Sequence, residues 1–273
     1  MATIRTYNKI APEGLELLKN RGHEVGPDIE NPDGIIVRSA KLHEIDFPPA
    51  LKAFARAGAG VNNIPVERCT AEGMVVFNTP GSNANSVKEL VVAGLMLSSR
   101  KIIEASSWVT TLDPDHADVT KEVESAKSEF AGPEIAGKRL GVVGLGAIGV
   151  IVANAGEALG MEVIGFDPYL SVDNAWGLSK SIERADTLEH LISQVDYLTV
   201  HAPLNANTEG MINAAALSRA KPGIRILNFA RGGLVESAAV VAAIESGTVR
   251  RYITDFPDNT LIGAPGVIAI PHL

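Results

Sequence analysis

The stretch from Gly141 to Gly149 reads GVVGLGAIG, and an acidic residue, Asp167, ends the run MEVIGFD that follows. Each glycine answers a different steric demand. Gly144 permits a tight turn out of a strand, Gly146 lets a backbone approach a pyrophosphate, and Gly149 lets the next helix pack against the strands. A helix that starts at Ala147 and Ile148 presents unpaired amides and the positive end of its dipole to an anion, so no basic side chain is needed. Asp167 can accept from both hydroxyls of an adenosine ribose and would repel a 2′-phosphate, which selects NAD over NADP. The bland alternative is a glycine-rich turn that binds nothing. A complete series of strand, turn, helix, strand and carboxylate argues against it.

Those residues need a scaffold, and the pattern of the chain supplies one. Strands are expected at Arg139–Val143, Glu162–Phe166, Tyr197–His201, Arg225–Phe229, Tyr252–Asp255 and Val267–Ile270. Between them helices are expected at Ala147–Leu159, Thr187–Gln194, Ala214–Arg219 and Ser237–Ser246. Short apolar strands separated by helices imply a doubly wound parallel sheet, a Rossmann fold, with ligands at its carboxyl edge. The first eighty residues read as a second, smaller α/β unit, with a helix from Pro12 and strands at Gly34, Phe54–Ala57 and Met74–Asn78. Asn85–Val109 reads as one long linking helix, because Val87, Leu90, Val91, Leu95 and Ile102 recur at helical spacing. Thr110–Gly132 is polar and poorly patterned, with a turn signal at Asp113-Pro114-Asp115, and reads as a loop or a partner-contact segment. The expected division is a substrate domain over 1–84 and a cofactor domain over 85–273.

Composition narrows the class. With 273 residues and 46% hydrophobic content there is material for two cores. A formal charge of −8, from 24 basic and 32 acidic residues, argues against a nucleic-acid partner. Anionic ligands must then be held locally. The single cysteine, Cys69, excludes an internal disulfide framework or a thiolate metal cluster and reads as a buried free thiol. His201 has no companion ligands for a metal, so none is expected. Val87–Leu97, the most apolar helical run, is too short and too closely flanked by charge to span a bilayer, and Met1–Lys9 has no apolar signal core. No membrane partner and a cytoplasmic location are the expectation.

Several further strings occur in one order: IIVRSA, RAGAGVNNI, GMVVFNTPG, GKRLGVVGLGAIG, VIGFDPY, DYLTVHAPL, LNFARGGLV, TDF and IPHL. On these the chain resembles the D-isomer-specific 2-hydroxyacid dehydrogenases. The resemblance implies a Rossmann cofactor domain beside a flavodoxin-like substrate domain, and NAD-dependent hydride transfer on a small 2-hydroxy or 2-keto acid. It places the substrate-gripping arginine at Arg231, whose guanidinium fork suits a carboxylate better than a lysine would. It places the acid/base at His272, an imidazole that can give or take a proton near neutral pH. Without the resemblance, a histidine beside the chain end would read as a solvated tail residue.

For the cofactor the resemblance adds His201, Ala202 and Pro203 on the adenosine side, and Phe229, Ala230, Arg231 and Asp255 beside the nicotinamide. For an anionic substrate group it adds Arg38, Ser39 and Arg56, with the backbone of Gly58, Ala59 and Gly60 as an anion-binding nest. FDPY and RAGAGVNNIP lean toward a phosphorylated substrate. A glyoxylate or hydroxypyruvate type of reductase and an NAD(H)-binding module without turnover are the alternatives. The family places a glutamate shortly after the strand aspartate to orient the histidine. Here Phe256, Pro257, Asp258, Asn259 and Thr260 follow Asp255, so the expectation is that either Asp258 stands in or the histidine works without a carboxylate. Relatives also continue past PHL with a segment returning to the small domain, which implies a loosened His272 and exposed apolar surface on that domain. A homodimer through the cofactor domain, at Lys101–Phe130, completes the expectation.

Overall fold

A computed structural model describes residues 1–115 and 118–272. Two compact units emerge, Met1–Asn83 and a larger one from Ala84 onward. His116 and Ala117, inside the segment read as a loop, and Leu273, the last residue of IPHL, lie outside the described residues.

The smaller unit runs β1 (Thr3–Tyr7), α1 (Pro12–Asn20), β2 (Glu24–Gly26), β3 (Gly34–Val37), β4 (Ala53–Arg56), α2 (Val66–Ala71) and β5 (Val75–Phe77). Its strands pair in parallel in the order β2-β1-β3-β4-β5, the doubly wound order of flavodoxin-like sheets. Pro12 opens α1 with the φ a first helical turn needs and no amide to waste. The core gathers Ile35, Val37, Leu42, Leu51, Phe54, Ile64 and Cys69, all close to fully buried. The thiol is thus a packing atom, and burial pushes its pKa up.

The larger unit begins with α3 (Ala84–Ser99), α4 (Ile102–Val109) and α5 (Val119–Ala126). It continues with β6 (Arg139–Val143), α6 (Ala147–Ala158), β7 (Glu162–Phe166), α7 (Val172–Gly177), β8 (Glu183–Arg184) and α8 (Leu188–Gln194). β9 (Tyr197–Val200), α9 (Ala214–Leu217), β10 (Ile224–Asn228), α10 (Ser237–Glu245), β11 (Val249–Thr254) and β12 (Val267–Ala269) complete it. The sheet order is β12-β11-β10-β9-β6-β7-β8, all parallel, which is the Rossmann order with its switch point between β6 and β9. Two buried clusters, one on Leu191, Leu198, Ile212 and Ile226, the other on Val91, Leu140, Val142 and Leu227, supply its core.

Two expectations are corrected. The long helix is broken at Arg100 and Lys101. Ser98 and Ser99 turn their hydroxyls back onto the Leu95 carbonyl, at 2.8 and 2.7 Å, and the Arg225 side chain takes the Ser98 carbonyl at 2.9 Å. That carbonyl is the one the next turn would have needed. The segment read as a loop or a partner-contact segment is not all loop: it contains α5, capped by the Asp118 carboxylate on the Lys121 amide, followed by a 3₁₀ turn over Lys127–Phe130.

Candidate active site

In the larger unit the predicted site residues lie at the carboxyl edge of the sheet, in the loops that leave its strands or, for Ala147, Ile148 and Gly149, in the first turn of α6. Gly144–Gly149 follow β6, Asp167 follows β7, and His201–Pro203 follow β9. Phe229–Arg231, Asp255 and His272 follow β10, β11 and β12.

The glycine turn is shaped by backbone contacts. Gly144 has φ +86°, and a Cβ there would meet the backbone of His201 and Ala202 at 2.8 and 2.9 Å. A Cβ on Gly149 would lie 1.9 Å from the Gly144 carbonyl oxygen, whereas one on Gly146 would meet nothing within 4 Å. Open space above Gly146 is what a pyrophosphate requires. The first helical bond of α6 runs from Val150 N to Gly146 O, so the amides of Ala147 and Ile148 point out of the helix start. Asp167 accepts from Leu145 N through Oδ2 and from Tyr169 N through Oδ1, both at 2.8 Å. It ties the turn to the end of β7, and each oxygen keeps a lone pair for a ribose hydroxyl. These residues fit an NAD adenosine diphosphate.

His201 continues β9 by donating its amide to Val143 O at 2.7 Å. Its Nε2 pairs with Thr199 Oγ1 at 3.0 Å, while its Nδ1 is closed off from solvent and has no hydrogen-bond partner. Burial drives its pKa down to about 4, so the ring is neutral at pH 7.

The turn carrying Phe229, Ala230 and Arg231 is set by Asn228, which sequence reasoning did not single out. Fully buried at the end of β10, it donates to Arg231 O at 2.8 Å and accepts from Ala230 N at 3.1 Å. An asparagine ending a strand before ARGG was the available signal.

Beside that turn, Asp255 Oδ2 lies 2.6 Å from His272 Nδ1. The carboxylate is 2% exposed and the imidazole 61%. Burial raises the Asp255 pKa, while His272, its hydrogen bond and the Arg231 charge pull the other way. The Phe256 ring flanks the imidazole with its centroid 4.8 Å away. This corrects the assignment of Asp258 as the histidine's carboxylate. Asp258 accepts from Ser237 Oγ at 2.6 Å and caps the amides of Thr260 and Leu261, so it is committed to its own loop. His272 is also less loose than expected, since it is bonded to a buried group.

In the smaller unit, Arg38 and Ser39 follow β3, and Arg56 with Gly58–Gly60 end or follow β4, the neighbouring strand. Asn8, at φ 68° after β1, accepts from the amides of Ser39 and Ala40 at 2.9 and 2.7 Å and so holds that loop. The nest reading needs a correction. The Gly58 amide donates to Thr79 Oγ1 at 2.7 Å, the Ala59 carbonyl accepts from Asn78, and the Arg56 guanidinium lies where a Gly58 Cβ would sit. Only the amides of Ala59 and Gly60 are left to serve an anion. Among the described residues no group of His, Cys, Asp and Glu could hold a metal ion, and no helix is long and apolar enough to cross a membrane.

Residues 92–273 match the family model described as D-isomer specific 2-hydroxyacid dehydrogenase, NAD binding domain. D-3-phosphoglycerate dehydrogenase of Mycobacterium tuberculosis is 37% identical over 295 residues, covering 100% of this chain and 53% of that protein. The Bacillus subtilis protein of that name is 34% identical over 273 residues, covering 97% and 49%. The chain thus spans about half the length of the curated relatives it matches. Among solved structures, NADPH-dependent glyoxylate/hydroxypyruvate reductase of Sinorhizobium meliloti matches with a TM-score of 0.81 at 26% identity, over 100% of this chain and 87% of that one. The holo form of D-mandelate dehydrogenase from Rhodotorula graminis matches in fold, with a TM-score of 0.82 at 23% identity, over 99% and 87%. The domain model fits the unit whose sheet edge carries the glycine turn, Arg231 and His272, and the chain belongs to the D-isomer-specific 2-hydroxyacid dehydrogenases.

Proposed function

We propose that this chain carries out the NAD-dependent oxidation of 3-phosphoglycerate to 3-phosphohydroxypyruvate, the entry step of serine biosynthesis, and its reverse. The observation that carries the reading is the histidine beside a buried carboxylate, next to the Arg231 turn, on the sheet edge that also holds the glycine turn. NAD, when bound, supplies the hydride acceptor. Arg231 grips the substrate carboxylate and polarises the carbonyl oxygen as charge develops there. His272 takes the hydroxyl proton in the oxidative direction and returns it in the reductive one. Arg38, Ser39, Arg56 and the amides of Ala59 and Gly60 are the residues we assign to the anionic end of the substrate. The relatives named D-3-phosphoglycerate dehydrogenase support the phosphorylated substrate, and the Sinorhizobium likeness supports hydroxypyruvate or glyoxylate as the second reading. Two copies associate, in this reading, through residues 101–130, where Ile102, Ile103 and Val109 are exposed.

The test is an assay in two stages. NADH binding is followed by nicotinamide fluorescence, and its oxidation is then followed by absorbance with phosphohydroxypyruvate, hydroxypyruvate or glyoxylate added. Phosphohydroxypyruvate should be preferred, Arg38→Ala should raise KM for it alone, and Arg231→Lys should lower kcat/KM roughly a hundredfold. Equal KM values for the phosphorylated and unphosphorylated acids would move the reading to the reductase. Binding without oxidation by any of the three would leave a cofactor-binding module.

A further inference from the structure

A histidine that is 61% exposed must still be held in one orientation and one tautomer if it is to exchange a proton with a substrate. No glutamate follows Asp255, and Asp258 is committed to Ser237, Thr260 and Leu261. We propose that Asp255 is the positioning residue for His272, a buried strand-end aspartate that fixes the proton on Nδ1 and leaves Nε2 to exchange protons with the substrate. This rests on the reading of His272 as the acid/base.

Four observations converge on it. The contact is short, 2.6 Å from Nδ1 to Oδ2, as for a charge-assisted bond. His272 is the only side-chain hydrogen-bond partner of Asp255 among the described residues, and the other oxygen, Oδ1, is buried with none. The two residues are delivered by neighbouring strands: β11 and β12 pair through Thr254 and Ala269, and Ile270 N donates to Thr254 O at 3.0 Å. The ladder therefore remains closed until the residue before Asp255, which holds the carboxylate more firmly than a loop residue could. Finally, Phe256 packs beside the imidazole ring, so ring edge and ring face are both restrained.

With Nδ1–H donated to the carboxylate, the Nε2 lone pair accepts the substrate's O–H proton, and the resulting imidazolium faces a negative charge. In the reverse direction the Nε2–H bond breaks as the substrate O–H forms. The charged groups about the pair are Arg231 from the turn after β10 and Asp255 itself.

The experiment compares wild type, Asp255→Asn and Asp255→Glu. Ring ¹⁵N NMR, with His272→Gln to assign the resonance among the 6 histidines, reads the tautomer of the neutral ring without cofactor. Wild type should carry its proton on Nδ1, and Asp255→Asn should shift toward the Nε2–H form. In steady-state assays Asp255→Asn should lose at least tenfold in kcat with KM changed less than threefold, and Asp255→Glu should recover part of it. An Nε2–H tautomer in wild type overturns the proposal, and because that is read on the unmutated protein it holds even if the variants fail to fold. An unchanged kcat in Asp255→Asn overturns it as well. A wild type that shows the Nδ1–H tautomer but turns over no keto acid upholds the pairing and defeats the proposed function instead.

Discussion

His201 shows how a single side chain carries a stability signal that its motif does not. Its ring titrates near 4 in the folded chain against 6.5 for the ordinary residue, because burial penalises the charged form. The native state then binds fewer protons than the unfolded state between those values. Stability is complete above about pH 6.5 and falls as pH drops through the window, by roughly 3 kcal/mol at most below pH 4. Denaturant midpoints at pH 7 and pH 5 should therefore differ more for wild type than for His201→Gln. Equal differences would place the ring in water. At this scale the glycines of the turn were legible, since each answers to local sterics. Asn8 and Asn228 were not, because an asparagine side chain declares its role only when the amides it reaches have been brought to it.

At the scale of elements, most strands of the larger sheet could be read from periodicity to within a residue or two, because buried parallel strands are unbroken apolar runs, whereas β11 begins three residues before its expected start and the short α7 and β8 were not anticipated. The break between α3 and α4 could not be read, since the group that removes the Ser98 carbonyl from the helix is Arg225, on a strand far along the chain. α5 was missed although Asp118 is a standard cap, because its apolar stripe is no more than Val119, Val123 and Ala126 in an otherwise polar eight-residue run. The βα turn also gives a discriminating pair of substitutions. Gly149→Ala pushes a methyl into the Gly144 carbonyl and should cost stability on the order of 2 kcal/mol or more. Gly146→Ala meets nothing and should fold within about 0.5 kcal/mol of wild type, yet weaken NADH binding at least tenfold by intruding on the pyrophosphate. Undiminished NADH affinity in Gly146→Ala would remove the pyrophosphate from that turn.

For the whole molecule, the two units have separate cores, and the chain provides a probe for each. Both tryptophans, Trp108 and Trp176, belong to the larger unit, and the single cysteine, Cys69, is buried in the smaller one. Tryptophan emission and Cys69 labelling should report unfolding transitions with different midpoints. NADH at a hundred times its Kd should stabilise the first by about 2.7 kcal/mol and leave the second in place. A shift of both by the same amount would mean that the units unfold as one.

By itself the sequence determined the two α/β sheets, the glycine turn with its carboxylate and the family, because these depend on backbone sterics and on short-range alternation of apolar residues. It left the partner of His272 undecided between Asp258 and nothing. Only the tertiary structure decided it. Asp255 and His272 meet because β11 and β12 lie side by side in register, a neighbourhood set by sheet order, which local spacing does not encode.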